Sequence, residues 1–102
     1  LKSIYAPEYR TMVRLLREVR EGRGITQEQV AKSLGITASM LAKWELGQRR
    51  IDLRELDLYL QACEVDLVEF VASWQQSILQ SKVIAVEVKL KKGRPVVSKT
   101  SE

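Results

Sequence analysis

Residues 27–46 read Q-E-Q-V-A-K-S-L-G-I-T-A-S-M-L-A-K-W-E-L and decide the fold of this chain. Two short helical patterns lie on either side of Gly35, and each is opened by a Thr, Thr26 and Thr37. Gly35 stands where the first helix must stop, because Gly tolerates the left-handed conformation that ends a helix. Ala31 is small where the second helix must approach the first. Apolar residues occupy the face that two crossed helices would share, namely Val30, Leu34, Ile36, Leu41 and Trp44. The pattern predicts a helix-turn-helix.

Capping signals predict three more helices. Pro7 suits a first helical turn, where its missing N–H is not needed, and Gly22 suits a helix end. An Asp followed three residues later by a Glu forms a capping box, and this pair begins at Asp52 and again at Asp66. The predicted helices therefore cover residues 7–22, 27–34 and 38–46, with a fourth beginning after Asp52 and a fifth beginning after Asp66 and ending near residue 80. This organisation predicts an all-α, five-helix domain over residues 1–80.

The composition argues against several classes of protein. The 102-residue chain has no His and one cysteine, Cys63, so it lacks the usual general base, an internal disulfide and a Cys/His cluster for zinc. No run is long and apolar enough to span a membrane, and no signal peptide is visible. We therefore expect a cytoplasmic protein that is not an enzyme, makes no membrane contact, and needs neither a metal nor a cofactor.

Charge changes sign along the chain. Residues 1–51 hold ten Lys or Arg and five Asp or Glu, a balance of +5. Residues 52–81 hold one basic and six acidic residues, and residues 82–102 hold six basic and two acidic residues. Basic segments suit a polyanionic partner, and the acidic middle segment should face away from it. The alternative interpretation is ordinary solvated helix surface.

Residues 12–72 resemble the Cro/repressor (Xre-type) helix-turn-helix family. The resemblance rests on G-I-T-Q-E-Q-V-A-K-S-L-G-I-T from Gly24, W-E-L-G-Q-R-R from Trp44, and Q-A-C-E-V-D-L-V-E-F from Gln61. Two residues depart from the usual pattern, because Cys63 stands where Leu is common and Glu64 where many members have Gly.

This resemblance implies double-stranded DNA and a second copy of the chain as partners, because members of the family bind operator DNA as dimers. It also implies an ion pair between Arg20, near the end of helix one, and Glu45, at the end of helix three. Gln27 resembles the family residue that hydrogen-bonds a phosphate. The family includes phage repressors, restriction-modification controller proteins and antitoxins that repress their own operons.

Helix three is the predicted reading helix. With Leu41 and Trp44 on its buried side, a rotation of about 100° per residue turns a set of short or polar side chains outward. The predicted base-reading residues are Ala38, Ser39, Ala42 and Lys43. Lys43 can donate to guanine O6 and N7, Ser39 can donate or accept, and the alanines could contact a thymine methyl. The alternative for Ala38 and Ala42 is that they are merely good helix formers.

Phosphate contacts are expected around that helix. The amino ends of helices two and three offer N–H groups to an anion, and basic or polar side chains follow helix three. The predicted phosphate contacts are Gln27, Thr37, Gln48, Arg49, Arg50 and Arg54. Such contacts position a protein on DNA without reading its sequence. The alternative for Arg49 and Arg50 is a solvated loop.

Residues 81–102 form a basic tail of a different character. Ile84, Val86, Val88 and Leu90 alternate with other residues, and this period of two predicts a short β-strand, with residues 91–95 as a turn that would make a hairpin. A second interpretation is a minor-groove arm, because Lys92, Gly93, Arg94 and Pro95 resemble the core of an AT-hook. A plain turn or a disordered basic tail is the third.

Together these features predict a dimeric, sequence-specific DNA-binding regulator that binds an inverted repeat and represses its own promoter. The candidate dimer interface consists of Trp74, Ile78, Leu79, Ile84, Val86 and Val88. The alternative is an antitoxin, in which the same domain binds DNA while the tail or helix five neutralises a protein toxin.

Overall fold

The computed structural model describes the backbone of residues 6–93 and the side chains of residues 6–89. Its five helices are α1 (Pro7–Gly22), α2 (Gln27–Leu34), α3 (Ala38–Glu45), α4 (Leu53–Ala62) and α5 (Leu67–Gly93). The all-α, five-helix prediction is confirmed, and the first three helices begin at the predicted residues. Neither α5, the longest helix described, nor any shorter one has the length and apolar character needed to cross a membrane.

The predicted caps define the helix ends. Thr26 and Asp52 each accept a backbone N–H through their side chain in a complete capping box, with Gln29 and Glu55 as the reciprocal acceptors. Gly35 ends α2 with φ of 73°, the left-handed conformation that lets the chain turn sharply into α3. The helix-turn-helix is therefore specified by local side-chain chemistry at each of its ends.

One core lies under all five helices. The largest fully buried side chains are Tyr59, Leu16, Leu41, Leu60, Val30 and Cys63. Cys63, where the family commonly has Leu, fills this core as a small apolar group. Glu64, where the family often has Gly, adopts φ of 60°, and its carbonyl accepts a hydrogen bond of 3.1 Å from Arg23 Nη2. Both departures are accommodated without a change in the fold.

The strand predicted for the tail is wrong. Residues 82–93 continue α5 as helix, and no strand occurs among residues 6–93. A strand needs a neighbour to pair its backbone N–H and C=O groups, whereas a helix continued from α5 satisfies them internally. The apolar residues also fit helical spacing, because Leu79, Val83 and Val86 are four and three residues apart. The apolar residues of this segment therefore fit a helical spacing as well as the alternating spacing of a strand.

The predicted arm lies at the limit of the described chain. Lys92 and Gly93 are the last two residues of α5, and Arg94 and Pro95 lie outside the described residues. A hairpin turn over residues 91–95 is excluded as far as residue 93, which is helical. The minor-groove arm stays a prediction.

Candidate nucleic-acid interface

The helix α3 presents two different faces. Leu41 and Trp44 are buried in the core, which fixes the rotation of the helix. Ser39 and Lys43 are exposed on the opposite side, and the short side chains of Ala38 and Ala42 are half-buried beside them. This placement agrees with the one expected from helical spacing. Met40 is 39% exposed and borders the same face.

A buried ion pair fixes α3 against α1. Arg20 Nε donates to Glu45 Oε2 over 2.7 Å, and Arg20 Nη2 donates to Glu45 Oε1 over 3.0 Å. The remaining Arg20 nitrogen, Nη1, donates to the carbonyl oxygen of Ile25 over 2.8 Å. Because both residues are less than a tenth exposed, this bidentate pair lies in a region where water screens it little. The pairing of Arg20 with Glu45 has the geometry that the resemblance implied.

Two further side chains complete the coordination of Glu45. The Tyr59 hydroxyl, on α4, donates to Oε2, and Gln27 Nε2, on α2, donates to Oε1 over 3.0 Å. One carboxylate thus joins α1, α2, α3 and α4. Burial by itself would raise the pKa of Glu45, but the hydrogen bonds from Arg20, Tyr59 and Gln27 outweigh it, and the pKa is lowered. Glu45 is therefore held as a carboxylate.

Burial, and then the Glu45 carboxylate, strongly raise the pKa of the Tyr59 hydroxyl. A neutral phenol is the form that can donate to Glu45, so the two shifts are consistent with each other. Tyr59 was not among the residues singled out from the sequence. A buried carboxylate needs more donors than one guanidinium provides, which calls for a residue such as Tyr59. The burial of Glu45 is known only from the structure, so the sequence alone gave no signal.

Gln27 has a different neighbour from the one expected. Its side-chain nitrogen already donates to Glu45. That nitrogen carries two hydrogens, so one remains for another acceptor, and the backbone N–H of Gln27 lies in the first turn of α2, where intrahelical partners are lacking. Gln27 is thus placed to link the buried ion pair to an anion at the amino end of α2.

The amino end of α3 is capped by Thr37. Its hydroxyl accepts the backbone N–H of Met40 over 3.1 Å. This contact orders the first turn of the helix, in which the remaining N–H groups point along the helix axis. Thr37 is exposed, so this end of α3 is accessible to an anion.

The loop after α3 is basic, but its two arginines differ. Arg50 is exposed, as are Gln48 and, on α4, Arg54. Arg49 is exposed as well, but it makes a bidentate pair with Glu55, with nitrogen–oxygen distances of 3.1 and 3.0 Å. Its guanidinium also lies 5.2 Å from the ring centroid of Trp44. The hydrogen bond to Glu55 raises the pKa of Arg49, and the hydrogen bond from Arg49 lowers that of Glu55.

A tyrosine on α1 fixes the backbone of this loop. The Tyr9 hydroxyl donates to the carbonyl oxygen of Arg49 over 3.1 Å and accepts the N–H of Ile51 over 2.9 Å. Tyr9 and Glu55 were not expected to contribute, because their partners are distant in sequence or belong to another element. The backbone of the loop is therefore held by Tyr9 at Arg49 and at Ile51.

Trp44 carries a polar group with no partner among the described residues. Its indole Nε1 is buried and makes no hydrogen bond. The ring is 2% exposed and packs in the core beneath the Arg49 guanidinium. An unpaired buried N–H lowers stability by about 1–3 kcal/mol, so packing of the large ring must outweigh that cost.

Comparisons with known proteins agree with this geometry. A family model described as "Helix-turn-helix" matches residues 16–70, just over half of the chain. The chain is also similar in structure to a crystallised mutant of the restriction-modification controller protein C.Esp1396I, with a TM-score of 0.68 and 21% sequence identity. That similarity covers 74% of this chain and 97% of the other. Comparison with curated proteins gives no match. On the extent of the family match, this chain belongs to the Xre-type helix-turn-helix family of DNA-binding transcription regulators.

Proposed function

We propose that the chain binds a specific inverted-repeat operator as a homodimer and represses its own promoter. The observation that carries the proposal is the exposed face of α3, where Ser39 and Lys43 stand out between the short side chains of Ala38 and Ala42. Short side chains let a helix lie deep in the major groove, and the longer ones then reach base edges. The buried Arg20–Glu45 pair supports this role by fixing the orientation of α3.

Phosphate contacts would come from both sides of that face. Arg50, Gln48 and Arg54 are exposed at the end of α3 and at the start of α4. The amino ends of α2 and α3, at Gln27 and Thr37, offer N–H groups and the positive ends of helix dipoles. These groups would place the protein on the duplex, and the face of α3 would supply the sequence preference.

Homodimer formation is supported by the size of the reading surface. One eight-residue helix contacts too few bases to select one site in a genome, and a two-fold dimer doubles the number read. The similarity to a controller protein supports a regulatory role. An antitoxin remains the second candidate, because several large apolar side chains on α5 are exposed and could bind a protein.

A footprint on the DNA upstream of the chain's own coding sequence tests the proposal. We expect protection of two half-sites with centres about 34 Å, one helical turn, apart. A footprint without two-fold symmetry would contradict the dimeric operator. If the upstream DNA were protected no better than unrelated DNA at every protein concentration, autoregulation would be contradicted. A toxin partner would appear as a neighbouring gene product that alters the footprint.

Glu55 should limit how strongly the protein binds DNA. Its carboxylate holds Arg49, and replacing Glu55 with Gln removes the competing charge while the amide oxygen can still accept the Asp52 N–H of the capping box. If Arg49 then neutralises one more phosphate, the salt slope of binding should increase by about 0.9 per protomer. Binding should also tighten at low salt for all sequences alike. Titrations at four salt concentrations measure both effects.

Glu69→Gln is the matched control for that variant. Glu69 stands at the same position of a second Asp-initiated helix start, three residues after the capping Asp66. The variant changes net charge equally, but Glu69 lies on α5 and holds none of the expected phosphate contacts. Equal effects of the two substitutions on the salt slope would show that Glu55 does not restrain Arg49.

A further inference from the structure

The long helix α5 carries a stripe of mostly apolar side chains that is exposed in the part of the chain that the structure describes. Its core-facing side is marked by Phe70, which is buried. Leu79 follows nine residues later and lies about 180° around the helix from Phe70. Leu79 is 55% exposed, and Val68, Val83 and Val86 near the same line are exposed by 74%, 52% and 56%. The apolar stripe comprises Val68, Ala72, Leu79, Val83 and Val86, together with the polar Gln75 on the same line.

The spacing of this stripe is symmetric about Leu79. Gln75 and Val83 are each four residues from Leu79, and Ala72 and Val86 are each seven residues from it. Val68 is eleven residues before Leu79, and the residue eleven after it in the sequence, at position 90, is also Leu. All these positions lie within about 40° of one line along the helix. Because the positions of the stripe are symmetric about Leu79, they can face an inverted copy of themselves over the whole length of the stripe.

Charge along α5 favours the inverted orientation. Residues 67–81 of α5 contain one acidic residue, Glu69, and no basic residue, and Glu64 and Asp66 come just before the helix, whereas residues 82–93 contain four lysines and one Glu. Two helices side by side in the same direction would place basic half beside basic half. Opposite directions place each basic half beside the partner's acidic half, which lowers the repulsion.

We propose that α5 pairs with α5 of a second copy in antiparallel orientation, with the two-fold axis at Leu79. In this arrangement Leu79 meets its own symmetry mate, Ala72 lies opposite Val86, and Gln75 lies opposite Val83. The overlap from position 68 to position 90 extends about 33 Å. The small Ala72 allows the branched Val86 of the other helix to approach closely. This proposal rests on the proposed dimeric function, but its geometry is independent of DNA.

The pairing also divides the residues predicted from sequence as dimer contacts. Leu79 and Val86 belong to the apolar stripe. Trp74 and Ile78 are half-buried, and Trp74 Nε1 donates to the carbonyl oxygen of Glu8 over 2.8 Å, so this part of α5 packs on α1. Ile84 and Val88 lie about 140–180° from Leu79, on the continuation of the face that carries Phe70. These two residues are exposed by 50% and 48% and serve as controls.

Cysteine cross-linking without DNA tests the orientation. Two full-length variants, Ala72→Cys and Val86→Cys, are mixed and oxidised mildly. An affinity tag on one variant gives the two chains different masses, so that the disulfide products can be distinguished. Antiparallel pairing predicts that the disulfide between position 72 of one chain and position 86 of the other forms in excess. The disulfides between identical chains, 72 to 72 and 86 to 86, should be less abundant. The natural Cys63 is fully buried and should not react in the folded protein. An excess of disulfides between identical chains would overturn the proposal in favour of parallel pairing.

A charge substitution tests the axis. Leu79→Glu places two carboxylates at the two-fold axis and should raise the dimer dissociation constant about 100-fold or more, because each substitution alters the centre of the interface twice. Ile84→Glu makes the same change at a similarly exposed position outside the stripe and should raise it less than about threefold. Analytical ultracentrifugation measures both, and circular dichroism confirms that each variant is folded.

Equal effects of the two glutamates, or a wild-type chain that stays monomeric at micromolar concentration, would overturn the α5 pairing. Because neither experiment contains DNA, a failure of the α5 pairing can be distinguished from a failure of the proposed operator binding. A variant that loses the α5 dimer but still footprints a symmetric operator would show that the dimer uses another surface.

Discussion

Replacing Arg20 with Met should lower the free energy of unfolding by about 3–5 kcal/mol, the usual effect of removing one member of a buried ion pair. The substitution leaves the Glu45 carboxylate buried with only Tyr59 and Gln27 as donors. It also frees the Ile25 carbonyl oxygen that Arg20 Nη1 contacts. Because the pair joins α1 to α3, the loss should appear as a destabilised whole domain rather than as a local opening.

Urea unfolding of three variants measures this effect. Arg14→Met is the control, because Arg14 pairs with Glu18 in an exposed i,i+4 ion pair and should contribute no more than about 1 kcal/mol. The double variant Arg20→Met with Glu45→Gln should be more stable than Arg20→Met alone, since Gln carries no buried charge. Its amide oxygen can accept from Tyr59, and its amide nitrogen can donate to Gln27 once the Gln27 amide turns its oxygen inward. Similar losses for Arg20→Met and Arg14→Met would contradict the role of the buried pair.

Acid should reduce the difference between wild type and Arg20→Met. The pKa of Glu45 is lowered in the folded protein, so its stabilising contribution is complete above the unfolded-state value of about 4.3. The contribution is then lost as the pH falls through the lower, folded-state pKa. Urea unfolding of wild type and Arg20→Met at neutral and at strongly acidic pH therefore tests the stabilisation by the Arg20–Glu45 pair by an independent route.

Replacing Lys43 with Ala should weaken specific DNA binding by about 1–3 kcal/mol and relax the preference at one base pair of each half-site. Lys43 is the longest exposed side chain on the reading face of α3, and its ammonium can donate to the major-groove edge of guanine. Arg50→Ala, in the exposed loop after α3, should weaken binding to all sequences about equally. Each variant removes one positive charge, so the difference between them reports base reading rather than loss of charge.

Competition binding against every single-base-pair variant of the operator measures that difference. A preference that is unchanged at every position in Lys43→Ala would show that Lys43 contacts only phosphate. If Arg50→Ala also altered the preference at one position, the loop rather than α3 would carry part of the reading.

The parts of the structure that local chemistry encodes were predictable from the sequence. Thr26 with Gln29 and Asp52 with Glu55 form the capping boxes that their spacing indicates, so the start residues of α2 and α4 followed directly. The two faces of α3 followed from the spacing of Leu41 and Trp44. The Arg20–Glu45 pair came from the family resemblance and not from spacing, because its members are 25 residues apart.

What the sequence did not predict depends on distant contacts or on an ambiguous period. Tyr59 and Tyr9 donate to groups 14 and 40 residues away, and no local pattern marks either contact. The ion pair of Arg49 with Glu55 of the next helix was not predicted either, and Arg49 stays a predicted phosphate contact. In residues 82–91 the apolar side chains fit both a strand and a helix, and continuity with α5 favoured the helix.

Selection of bound sequences from a random pool of DNA duplexes tests the central claim most directly. The purified protein should enrich one motif with two inverted half-sites whose centres are about one helical turn apart. The same selection with Lys43→Ala should return that motif with information lost at one symmetric pair of positions. Recovery of DNA without any shared motif, at salt concentrations near physiological, would contradict sequence-specific binding through α3.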